Sequence, residues 1–216
     1  NVNSMSNINI NNADENSSNI SNNDNSNINS SFDKEFDNVS EIVINHEAAP
    51  ISSIAVVKNI LISATTDGTI RRWLLPHFIV CRKTNLHYCS VIAIGGSLSL
   101  NLLVSIDVFG NVVFESLMNS PFSLCTKLKK VYKTNFIHVF KSGKVAIIQS
   151  DQEESCVTLL NMEGRFVNER KFGFCIQEFD SVSNSILLEK LLIGYNSDTI
   201  ELLDIPSLIT NASYHG

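Results

Sequence analysis

From residue 41 onward, apolar residues come in short runs, often β-branched, closed off by turn-forming residues. The runs include "ISSIAVV" (51–57), "NILISATT" (59–66), "LNLLVSI" (100–106), "GKVAIIQS" (143–150) and "KLLIGYNS" (190–197). Turn signals bound them at Asp67-Gly68, Gly95-Gly96, Gly110-Asn111, Ser142-Gly143 and Met162-Glu163-Gly164. β-Branched side chains suit a pleated surface, and Gly or Asp supplies the reversal between strands. No stretch of helical length holds a 3.6-residue apolar period free of Gly, Pro or a β-branched cluster, so the pattern predicts an all-β chain.

The runs also recur over a long period. "LISATTD" (61–67), "LLVSIDV" (102–108), "VAIIQSD" (145–151) and "LLIGYNSD" (191–198) follow one another at intervals of about 41, 43 and 47 residues. Four short strands per 40–45 residues is the repeat of a β-propeller blade, whereas helical solenoids of similar period would need helices. The first unit, "NHEAAPISSIAVVKNILISATTDGTIRRWLLP" (45–76), resembles a WD40 repeat. His46 precedes the first strand, Asp67 sits in the tight turn after the second, and Trp73 lies in the third. Asp67 can accept from the His46 imidazole, and a hydroxyl on the second strand (Thr65, or Ser63) can link that histidine to the Trp73 indole. The structural tetrad expected is His46, Thr65, Asp67 and Trp73, each buried polar group having a partner. Leu74 follows Trp73 where the usual dipeptide has Asp, and in the later units only Asp107, Gly110 and Asp198 echo the turn.

Composition divides the chain. Residues 1–40 are dominated by Asn and Ser, with scattered Ile for apolar content. Such a segment cannot bury enough surface to offset about 1–2 kcal/mol per residue of backbone ordering, so a disordered tail is expected over 1–40 and a repeat region of about four blades over 41–216. Asn-x-Ser triplets at Asn16, Asn19, Asn29 and Asn38 follow from that composition. The tail holds six acids (Asp14, Glu15, Asp24, Asp33, Glu35, Asp37) and Lys34, a net of −5 out of −6 for the chain, leaving −1 for residues 41–216. A nearly neutral repeat region argues against a general nucleic-acid binder.

No apolar run is long enough for a membrane-spanning helix, and the first residues lack the basic-then-apolar order of a secretory signal. The five cysteines show no tight spacing and fit a reduced compartment, so a cytoplasmic protein is expected, peripheral on membranes if it meets them. Cys81, His87 and Cys89 lie close in sequence but form no Cys-x-x-Cys pair, and on a strand they would share one buried face; no metal and no cofactor is expected. His138, in "NFIHVF", reads as a half-buried strand residue, and Glu153-Glu154 as a solvated turn. Gly95-Gly96 lacks the Lys-Ser/Thr and helix of a phosphate loop. No nucleophile, base and oxyanion site come together, so no enzyme is expected. One charge feature stands out: between 116 and 150 there are six lysines (Lys127, Lys129, Lys130, Lys133, Lys141, Lys144) and no acid. Lys127, Lys129, Lys130 and Lys133 form a patch suited to an anionic membrane surface or an acidic peptide.

Three later stretches carry a closer resemblance. "DVFGNVVFESLMNSPFSLCTKLKK" (107–130), "SGKVAIIQSDQEESCVTLLNMEGRFVNER" (142–170) and "LLIGYNSDTIELLDIPSL" (191–208) are similar, in this order, to successive blades of the C-terminal propeller of BEACH-domain (beige/neurobeachin-type) trafficking proteins. In the second, "NMEGRFV" stands where that family has a Gly-Lys turn. The resemblance implies a non-catalytic scaffold module that binds other proteins in vesicle and membrane-protein trafficking. It also implies a fragment or truncated product, since about four blades are present, no BEACH domain precedes them, and Asn1 stands where an initiator Met would be. The alternative is a generic WD40 adaptor subunit of a ubiquitin ligase or coat assembly.

Overall fold

The computed structural model describes residues 49–118, 122–183, 187–195 and 198–215. The expected disordered tail and His46 lie outside the described residues. All the described strands belong to one compact unit, Asn45–Gly216.

They form four sheets, each an antiparallel meander of four strands consecutive in sequence. The first sheet holds β1 (Ile51–Val57), β2 (Ile60–Thr65), β3 (Thr69–Leu74) and β4 (Ile79–Asn85). The second holds β5 (Val91–Ser97), β6 (Leu102–Asp107), β7 (Asn111–Ser116) and β8 (Ser123–Lys127). The third holds β9 (Thr134–Val139), β10 (Val145–Ser150), β11 (Ser155–Leu160) and β12 (Phe166–Phe172), and the fourth β13 (Ile176–Ser183), β14 (Glu189–Tyr195), β15 (Thr199–Asp204) and β16 (Thr210–His215). No helix occurs among the described residues. This is the all-β, four-bladed arrangement that the repeat spacing predicts.

Each blade packs face to face on the next. Ile60, Ile62, Ala64 and Ile70 of the first meet Val91, Ile94 and Leu103 of the second. Val104, Ile106, Val112 and Phe114 meet Ile137, Val145, Ile147 and Leu160 of the third. Ala146, Ile148, Val157 and Leu159 then meet Leu191, Ile193 and Leu203 of the fourth. The middle strands of the second and third blades are therefore covered on both faces, and β6, β10 and β11 are buried at every position. The outer strands β4 and β8 keep one side in water and alternate. Full burial of each large aliphatic side chain contributes about 1.5–3 kcal/mol.

Gly68 and Gly95 show what the backbone demands. Gly68 has φ +87°, and a Cβ there would lie 2.2 Å from the His87 carbonyl oxygen. Gly95 corrects the sequence reading: Gly95-Gly96 is no turn but lies inside β5. A Cβ on Gly95 would lie 2.5 Å from the Ile137 carbonyl oxygen, so the pair marks close approach of β5 to β9 of the next blade, a known use of strand glycine.

Candidate functional site

The polar residues of the first blade are knotted around its tight turn. The Thr65 hydroxyl lies 2.5 Å from Asp67 Oδ1, which also accepts the Thr69 N–H at 3.0 Å. These bonds, the Thr65 hydroxyl first, hold the Asp67 carboxyl below the usual carboxylate range. Trp73 Nε1 donates to Ser63 Oγ at 2.8 Å. The structure thus brings Thr65 to Asp67 but gives the indole to Ser63, one step nearer along β2 than Thr65. Trp73 pairs with Leu61 in the β2–β3 ladder, so Ser63 is its diagonal neighbour and within reach of a long ring.

The second blade repeats the motif with different letters. His87 Nδ1 lies 3.1 Å from Asp107 Oδ2 and Nε2 lies 2.8 Å from Ser105 Oγ. Asp107 Oδ1 accepts the N–H groups of Phe109 and Asn111, and the Asn111 amide donates to Oδ2 at 2.8 Å. Burial pushes the Asp107 carboxyl up, and the bonds from Asn111 and His87 outweigh it, leaving it below its usual range. His87, Ser105 and Asp107 are 2%, 0% and 1% exposed. The sequence contained the signal, because His87 precedes Ser105 by 18 residues as His46 precedes Ser63 by 17. The expectation that Cys81, His87 and Cys89 share one strand face fails. Cys81 lies on β4 and is exposed, whereas β4 ends at Asn85, so His87 and Cys89 belong to the connection, with His87 turned into the core. His138 is half-buried on β9, with its ring 4.6 Å from Phe140, and burial pushes its pKa down.

Among the described residues, two ion pairs join strands of neighbouring blades. Arg72 Nη2 on β3 lies 2.7 Å from Glu115 Oε2 on β7, both side chains sealed from water. Arg170 Nη2 on β12 lies 3.3 Å from Glu201 Oε2 on β15. Glu115 occupies in its blade the ladder position that Trp73 occupies in the first, opposite Leu103 as Trp73 is opposite Leu61.

A cleft of about 390 Å³ opens between the outer part of the second blade and β11–β12 of the third. Lys127, Lys129 and Lys130 line one wall and Lys171 the other. Gln149, Cys156 and Thr158 form a buried polar floor beside Leu160. Lys133 of the expected patch is exposed but does not line the cleft. Lys130 pairs with Glu154 and sits 4.3 Å over the Tyr132 ring, so Glu154 serves as a partner across the blades as well as a turn residue. That carboxylate raises the Lys130 ammonium pKa. Burial raises the Cys156 thiol, which keeps it protonated and unreactive. Lys171 escaped the sequence reading because it lies 44 residues from Lys127 and joins it only when the blades stack.

No family model and no curated protein matches the chain. Solved structures do. The Cps50 (Swd1) β-propeller domain of Myceliophteria thermophila superposes with a TM-score of 0.59 at 15% identity, over 81% of this chain and 58% of that one. The computationally designed Ika4 protein gives 0.56 at 18% identity over 76% and 96%, and the designed Ika8 protein 0.57 at 17% over 77% and 49%. The chain thus spans about half the length of Ika8. At these identities the likeness is one of fold, and with the stacked four-stranded meanders it defines a β-propeller fold.

Proposed function

We propose that the chain is a non-catalytic, WD40-type protein-interaction module, working in a BEACH-type scaffold for vesicle and membrane-protein trafficking. The observation that carries the first half is the sealing of Ser105, His87 and Asp107. They have the makings of a Ser-His-Asp set, but a nucleophile must meet substrate, and all three lie inside the blade holding its turn. Chemistry is spent on rigidity, and a rigid frame lets surface loops bind at low ordering cost. The trafficking half is supported by the collinear resemblance of 107–130, 142–170 and 191–208 to the BEACH-type blades.

The test is in-cell cross-linking of the tagged full chain followed by mass spectrometry, alongside a broad hydrolase screen. We expect cross-links to proteins of vesicle membranes and no turnover. Turnover abolished by Ser105→Ala with the melting temperature unchanged would overturn the non-catalytic reading. Cross-links confined to ubiquitin-ligase or coat subunits would replace the trafficking assignment by the adaptor one.

A further inference from the structure

We propose that the lysine-rimmed cleft between the second and third blades binds an acidic peptide segment. Its Asp or Glu side chains would meet Lys127, Lys129 and Lys171, and a neighbouring apolar side chain would pack on Phe166. This rests on the interaction-module reading and adds the chemistry of the partner at one place on the molecule.

Charge comes first. Four lysines line the cleft against one acid, Glu169. Lys130 is already engaged by Glu154, but Lys127, Lys129 and Lys171 have no acidic partner within ion-pair distance among the described residues. Like charges gathered around a concavity with protein walls focus a positive potential into it, so the cleft attracts an anion.

Shape then selects the partner. A volume of about 390 Å³ falls in the range of sites that enclose a small ligand or a few side chains. The site is preformed: the β11–β12 turn presses on the second blade so closely that a Cβ on Gly164 would stand 3.2 Å from Leu124 and 3.3 Å from Thr126. A bilayer surface is broad and flat and cannot follow lysines into such a recess, whereas a peptide can lower side chains into it. The lining is also mixed. Gln149 and Thr158, the latter bonded to Glu169, make the buried floor polar, and Phe166, 63% exposed beside the lysines, is an aromatic of the kind that anchors interfaces. A purely electrostatic contact would leave that ring idle.

The probe is a fluorescently labelled Asp/Glu-rich peptide containing Leu, titrated against the full chain. Controls are the same peptide with Gln and Asn in place of the acids, and vesicles containing phosphatidylserine. We expect the acidic peptide to bind and the neutral one not to, with affinity falling as salt rises. The pair K127E and K171E should weaken binding by roughly tenfold or more, because each reversal turns attraction into repulsion. Phe166→Ala should weaken it at all salt concentrations. Lys133→Glu changes net charge as much as either single reversal, K127E or K171E, but lies outside the cleft and should leave affinity unchanged. All these positions are exposed, so melting curves should match the parent. Equal losses at Lys133 and in the cleft would overturn the proposal. So would vesicle binding that depends on Lys127 and Lys171 without peptide binding, or no binding of the acidic peptide by the folded chain. The interaction-module reading is judged separately by the cross-linking, which does not depend on this cleft.

Discussion

Arg72 and Glu115 illustrate how a single pair of side chains can tie two blades together. Both are sealed, and Arg72 Nε has no hydrogen-bond partner among the described residues. Two charges taken out of water roughly cancel their own attraction, but one left alone does not. We therefore expect Arg72→Met alone to lower unfolding free energy by about 3–5 kcal/mol, and Arg72→Met with Glu115→Leu to recover most of that loss, as read from urea midpoints. His138 gives a pH prediction. Burial pushes its pKa down against the weaker pull of Asp180 and Glu189, so the unfolded chain binds a proton that the folded chain refuses. Stability is fully present above the ordinary histidine value of about 6.5 and is lost as pH falls through the folded value. His138→Gln should flatten the pH dependence of the melting temperature just below about 6.5. Asp107, also held low, adds a loss at more acid pH, where its carboxylate takes up a proton.

At the level of the strand, the legible elements were the ones buried on both faces. β6 and β10 read as "LLVSID" and "VAIIQS" because neighbouring blades cover every position, so apolar runs survive in the sequence. The outer strands β8 and β12 alternate weakly and carry lysines, and nothing local marks them. Gly95-Gly96 misleads for a related reason. A glycine pair supplies a turn or admits a neighbouring backbone, and only the position of Ile137 in the next blade decides between them. Gly95→Ala should thus destabilise the contact between the second and third blades far more than Gly173→Ala, whose Cβ would meet nothing within 4 Å; thermal melts of the two variants compare them directly.

At the level of the whole described structure, the fourth blade is the exception to the packing rule. Leu192 and Leu202 are half-buried and Ile200 and Tyr214 exposed, on the face turned away from the third blade. Their counterparts Val104, Val112 and Phe114 in the second blade, and Ile148, Val157 and Leu159 in the third, are sealed. Apolar surface of this kind drives association. Light scattering of the chain should rise with concentration, and Ile200→Asp with Tyr214→Lys should suppress the rise without lowering the melting temperature. The sequence by itself determined the strands buried on both faces, the turns at Asp67-Gly68, Gly110-Asn111 and Ser142-Gly143, and the repeat of four blades. These follow from alternation, β-branching and turn chemistry, which are read along the chain a few residues at a time. Tertiary structure alone decided that Arg72 meets Glu115 and that Lys171 faces Lys127. Stacking brings together residues of neighbouring blades that lie 43 and 44 apart in sequence, and no local rule for polar side chains spans that gap.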